Sequence, residues 1–168
     1  MTPGTGPRVD LPEAAGPGQV TPAEVTFHFN VGDRLQYACR LLRKGHRAGH
    51  CMTVLGDAVL LERLDRLLWT FDPLAFVPHV RADPEGAVPA HLVDTPIWLV
   101  EAVAHSPVTH RVLLQLHDTL PQGLERFDRL HEVVSSQPDE REAARERWRR
   151  HAAAGRTLVR HDAAEASA

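Results

Sequence analysis

The chain has 168 residues, 43% of them hydrophobic, and a formal net charge of −3. That length suits one hydrophobic core better than two, and the slight acidic excess argues against a broad nucleic-acid surface, which needs many cations to neutralise phosphates. Apolar runs fall far short of the roughly 20 residues needed to span a bilayer, and the start lacks a secretory pattern, so a cytoplasmic protein is expected.

Residues 1–22 are rich in Pro and Gly and show no helical or strand period, which predicts a disordered arm. Residues 24–30 (EVTFHFN) alternate apolar and polar in the manner of a strand. Asp33 is placed to cap a helix whose apolar face is Leu35, Ala38, Cys39 and Leu42, ending at Gly45 or Gly49. Residues 51–55 (CMTVL) form a short apolar strand, and Leu60, Leu64, Leu67 and Leu68 mark a second amphipathic helix running to about Trp69. Strand, helix, strand, helix predicts a mainly parallel sheet covered by helices.

Residues 76–78 read as a short edge segment and 81–93 as a long surface loop. Strands are expected at 97–101, 111–117 and 131–134, with a helical turn at 124–127. Pro138 opens a last long helix that stops near Gly155, residues 157–161 close the sheet, and 163–168 form a flexible tail after a domain spanning 23–162. The expected class is therefore α/β, a Rossmann-like three-layer fold.

The turn after the first strand, Asn30-Val31-Gly32-Asp33, has neither GxGxxG nor GxxxxGK[ST], and an aspartate there repels phosphate. Asp118, at a strand end, reads as a turn or cap residue. Cys39, His46, His50 and Cys51 lie close in sequence, but Cys39 belongs to a helix face and Cys51 to a separate strand, so four ligands do not converge on zinc. Both cysteines read as buried small hydrophobes. Neither Ser106 nor Ser135-Ser136 has a base and orienting acid nearby in sequence. No catalytic residue, metal or cofactor is assigned.

Two stretches look like binding surfaces. Arg141, Arg145 and Arg149 form a stripe on the last helix with Trp148 beside it. Such a groove suits an acidic peptide ending in an apolar residue, because guanidinium grips carboxylates and indole packs a side chain. The alternative is a solvated helix laced by pairs such as Glu142 or Glu146 with Arg150, its tryptophan in the core. The second stretch, residues 67–78 (LLWTFDPLAFVP), gathers more apolar area than a loop readily hides. Its alternative is that Phe71 and Leu74 fill the core and nothing binds.

Taken in order, VTFHFNVGDRLQYACRLLRKGHRAG, LDRLLWTFDPLAFVPHV, TPIWL and ARERWRRHAAAG resemble the chi subunit of bacterial DNA polymerase III holoenzyme. The resemblance implies a Rossmann-like fold without nucleotide binding, acting as a non-catalytic accessory protein of the clamp-loader assembly in DNA replication. It implies two partners: the psi subunit of the clamp loader, and the acidic C-terminal tail of single-stranded-DNA-binding protein, which ends in phenylalanine. DNA is then met only through those partners. The tail-binding residues of the family are matched by Arg145, Trp148 and Arg149, with Arg141 one turn earlier; the family often has Tyr and Lys where this chain has Trp148 and Arg149. The psi-facing tryptophan and phenylalanine, seven residues apart, are matched by Trp69 and Phe76. Two rivals are a small-ligand enzyme using the carboxyl ends of a Rossmann-like sheet and a direct binder of single-stranded nucleic acid.

Overall fold

A computed structural model describes residues 23–165. Its strands are β1 (Glu24–Val31), β2 (Met52–Leu55), β3 (Val80–Arg81), β4 (Ile97–Val100), β5 (Val112–Gln115), β6 (Arg129–Ser135) and β7 (Thr157–Asp162). The helices are α1 (Arg34–Arg47), α2 (Ala58–Thr70) and α3 (Pro138–Ala153). The strands form one sheet in the order β3-β4-β2-β5-β6-β1-β7, with every pairing parallel.

The central strands β2, β4 and β5 are buried at all four of their positions, as expected for parallel strands covered on both faces. On one face α1 and α2 pack Leu35, Ala38, Leu42, Leu61 and Leu64 against Val54, Leu99 and Leu114. On the other, α3 and two short 3₁₀ turns bring Ala144, Leu124 and Val103 onto Phe27, Leu113 and Leu130. This is a three-layer α/β fold. The expected disordered arm at residues 1–22 lies outside the described residues, as does the end, 166–168, of the flexible tail expected at 163–168; at its start Ala163 is instead buried, its amide donating to the Phe29 carbonyl at 2.9 Å.

Helix limits follow local chemistry. Asp33 Oδ1 accepts from the Gln36 amide at 3.0 Å and Asp57 Oδ1 from the Leu60 amide at 2.8 Å, satisfying free donors at the starts of α1 and α2. Gly49 (φ 81°) ends α1, and Gly155 (φ 75°) follows α3 in the same left-handed conformation. Pro138 occupies the first turn of α3, where its missing N–H costs no hydrogen bond.

The edge strand differs from expectation. It is formed by Val80–Arg81 rather than by residues 76–78, and Phe76 is 68% exposed. Pro78 has no amide hydrogen to contribute to a ladder, so pairing begins only beyond it. Cys51 is exposed, because the chain enters the sheet one residue later, at Met52; only Cys39 is buried. Burial pushes the Cys39 thiol up to about 12. The apolar loop divides: Phe71 packs on the core beneath α1 and α2, whereas Leu74 is 96% exposed.

Candidate functional site

One flank of α3 and the last two strands of the sheet enclose a groove of about 390 Å³ lined by Phe29, Arg141, Arg145, Trp148, Arg149 and Arg160, with Ala144 at its floor. Heptad-like spacing puts Arg141, Arg145 and Trp148 on one side of the helix, and the parallel pairing of β1 with β7 delivers Phe29 and Arg160 opposite them. Trp148 stands half-buried, its ring 4.9 Å from Phe27 and 6.4 Å from Phe29, centroid to centroid. The Arg160 guanidinium lies 5.2 Å above the Phe29 ring. The groove therefore has an aromatic wall and floor beneath a rim of four arginines.

Those arginines are not equivalent. Arg141 donates to the Asn30 side-chain oxygen at 3.1 Å, and Arg149 pairs with Glu146 at 2.8 Å. Glu146 also holds Arg150, at 3.3 Å. Arg145 has no acidic partner among the described residues, so its guanidinium is available to an anion without first giving up an internal pair. The helix thus combines both expectations: ion pairs on its solvent side, and a tryptophan that is at once packed on the core and open to the groove.

The second surface lies at the end of α2. Trp69 is 60% exposed and its ring is flanked by Phe76 at 5.7 Å and His79 at 5.0 Å. His79 Nδ1–H donates to the Val77 carbonyl at 2.7 Å, which fixes the ring that supports Trp69. Asp72 anchors the turn by accepting from the Leu74 amide and from Arg43, and those bonds hold its carboxyl below the usual range. An exposed aromatic pair, with Leu74 exposed in the same loop, is more apolar surface than a solvated loop requires.

The carboxyl ends of the central strands, where α/β sheets commonly take small ligands, carry internal bonds instead. Arg34, at the start of α1, donates to the Leu116 carbonyl and to Glu140, both at 3.0 Å, and the other Glu140 oxygen accepts from the Ser135 amide at 3.2 Å. Burial favours the neutral Glu140 carboxyl, but the Ser135 bonds and the Arg34 charge outweigh it and hold the group below its ordinary value. The Gln115 amide donates to the Thr119 carbonyl at 2.9 Å. Asp118 is exposed, and its carbonyl accepts from Arg147 at 2.9 Å. Ser106, Thr53 and His110 form a buried chain in which Thr53 Oγ1 lies 2.7 Å from Ser106 Oγ and 2.9 Å from His110 Nδ1. The imidazole meets threonine there, not the serine.

A family model described as "DNA polymerase III chi subunit, HolC" matches residues 23–159. The chain belongs to the DNA polymerase III chi-subunit family. A curated relative, DNA polymerase III subunit chi of Pseudomonas aeruginosa, is 33% identical over 134 residues, covering 76% of this chain and 85% of the relative. As a chi subunit the chain is an accessory component of the polymerase with a non-catalytic role.

Beneath the groove of this chi subunit lies a polar cluster that sequence reading missed. Glu132 is fully buried on β6; its Oε2 accepts from Arg147 Nε at 2.8 Å and its Oε1 from His151 Nε2 at 3.0 Å. Arg156 donates to His151 Nδ1 at 3.0 Å, which leaves Nε2–H as the donor to Glu132. The cluster ties the inner side of α3 to the sheet and so sets the height of the groove's rim. Its signal was present: an acid inside an apolar strand (RLHEVVS), and Ala144, Arg147 and His151 at helical spacing on the inward side of α3. Phe29 and Arg160 were missed as groove residues because they lie 131 positions apart in the sequence and only the pairing of β1 with β7 brings them together.

Proposed function

We propose that this chi subunit is an adaptor in DNA replication whose α3 groove receives the acidic, phenylalanine-ending tail of single-stranded-DNA-binding protein, while the Trp69–Phe76 surface receives the psi subunit of the clamp loader. The observation that carries the reading is Arg145: an arginine without an acidic partner among the described residues, on the rim of a groove walled by Trp148. In this arrangement Arg145, with Arg149 and Arg141, holds the terminal carboxylate and the acidic residues before it, and the terminal ring packs against Trp148. Arg149 exchanges Glu146 for the ligand. The attraction is between partly exposed charges, so affinity falls as salt rises. The bonded strand ends count against a small-ligand enzyme.

The test is fluorescence anisotropy with a labelled acidic peptide ending in phenylalanine, beside the same peptide lacking that residue. Arg145→Ala should weaken the intact peptide by about 1 to 3 kcal/mol, the range of a charge-assisted hydrogen bond. Absence of binding by the wild type at low salt would overturn the tail assignment.

A further inference from the structure

The α3 groove opens in two directions at Arg160. Toward the end of β7 it runs into a recess beside Asn30 that carries Asp162 and Glu165. Across β7, the outermost strand of the sheet, it meets a cavity of about 320 Å³ against α1, lined by His28, Tyr37, Arg40, Lys44 and His161 together with Arg160. The first exit sets Asp162 and Glu165 beside Arg141 and Arg160, whereas the second has no carboxylate in its lining. Arg40 and Lys44 are both exposed, one turn apart on α1, and neither has an acidic partner among the described residues; Arg40 rests over the Tyr37 ring at 5.5 Å.

We propose that Arg40 and Lys44 form a second cationic station for the same acidic tail, which leaves the α3 groove at Arg160, crosses the β7 edge and lays its upstream carboxylates on α1. The inference rests on the tail assignment above. Charge complementarity selects the occupant: at the first exit an acidic chain meets two carboxylates that offset the arginines there, whereas over Arg160 it meets Arg40 and Lys44 with no carboxylate opposing it. An extended chain advances about 3.3 Å per residue, so residues well before the terminal phenylalanine reach this side. The station contributes only to peptides long enough to span both faces. It raises affinity as a linked second contact does, without altering the terminal pocket.

The experiment compares two labelled peptides on the full chain by anisotropy: one of about five residues and one of about twelve, a length set by that advance per residue, sharing the same terminal phenylalanine and with acidic residues throughout. Two exposed ion pairs predict that the longer peptide binds about three- to ten-fold tighter to the wild type. Arg40→Ala with Lys44→Ala should abolish that advantage and leave the short peptide unchanged. The charge-matched control, Arg63→Ala with Arg66→Ala on α2, should keep it. Equal affinity of the two peptides for the wild type, or an advantage that survives loss of Arg40 and Lys44, overturns the second station. An advantage lost equally in the α2 control also overturns it, in favour of a general field effect. If neither peptide binds, the tail assignment itself fails, a result distinct from these.

Discussion

Trp148 packs onto Phe27 with ring centroids 4.9 Å apart, so the wall of the groove is rooted in the hydrophobic core. Phe27 is among the largest fully buried side chains, and the His151 ring, one turn along α3, stands edge-on to it at 5.8 Å. Trp148→Ala should therefore lose both functions at once: about 2 kcal/mol of stability in urea unfolding, below the range for a fully buried tryptophan because the ring is half-exposed, and binding of the phenylalanine-ending peptide. Trp148→Tyr should retain most of each. A stable Trp148→Ala that still binds would separate the wall from the site.

Two arginines on α3, two residues apart, should respond in opposite ways. Arg147 is buried and its loss leaves the Glu132 carboxylate with a single partner, His151, which predicts a cost of about 3 to 5 kcal/mol for Arg147→Ala. Arg145 makes no internal polar contact among the described residues, so Arg145→Ala should change stability by less than about 0.5 kcal/mol. Thermal melts of the two variants test this directly, and the peptide assay should rank them in reverse for any Arg147 variant that remains folded.

Trp69→Ala, at the second surface, should leave the melting behaviour close to wild type, since the ring is 60% exposed and touches mainly Phe76 and His79. Its effect should fall on assembly: co-purification with the psi subunit should drop sharply in Trp69→Ala and in Phe76→Ala. A large loss of stability without loss of assembly would mark the aromatic pair as a structural clasp.

How much of this was legible before the fold was known depended on whether the determining interactions were local. Asp33 and Gly49 set α1 through contacts within a few residues, and Pro138 opens α3 by its own geometry, so the helices were readable. The stripe of Arg141, Arg145 and Arg149 is likewise a property of one helix. Phe29 and Arg160 reach the same groove only because β1 and β7 pair in register at Phe27–Arg160 and Phe29–Asp162, information that no single segment contains. Glu132 was passed over because an acid in an apolar strand resembles a solvent-facing position until Arg147 and His151 arrive from 15 and 19 residues away. The edge strand was misplaced for a related reason: Phe76 and Val77 have strand character, but Pro78 interrupts and the pairing partner Trp98 aligns with Val80.

The remaining prediction concerns acid. His28 on β1 faces His131 on β6 and Tyr37 on α1: the Tyr37 hydroxyl lies 2.8 Å from His28 Nδ1, and His28 Nε2 lies 3.1 Å from His131 Nδ1. With both rings neutral the chain is satisfied when tyrosine donates to His28 and His28 donates to His131. Burial lowers the His28 pKa to about 3, helped by the neighbouring charges of His131, His161 and Lys44. Burial lowers His131 to about 4, with Arg129, His50 and Lys44 adding to the shift. Both folded values lie below the ordinary 6.5, so in the range between them the unfolded chain binds more protons than the native one. The stability these rings contribute is full above pH 6.5 and is lost as pH falls toward 4. The loss should approach about 1.4 kcal/mol per pH unit for each histidine that stays neutral in the native state. Urea unfolding between pH 7 and pH 5 lies above the range in which most carboxylates titrate and should show this slope, to which His110, its pKa also lowered by burial, adds. His131→Asn, whose side-chain oxygen can replace Nδ1 as the acceptor for His28, should flatten the slope by up to about one histidine's share. An unchanged slope in that variant would show that the acid sensitivity arises elsewhere.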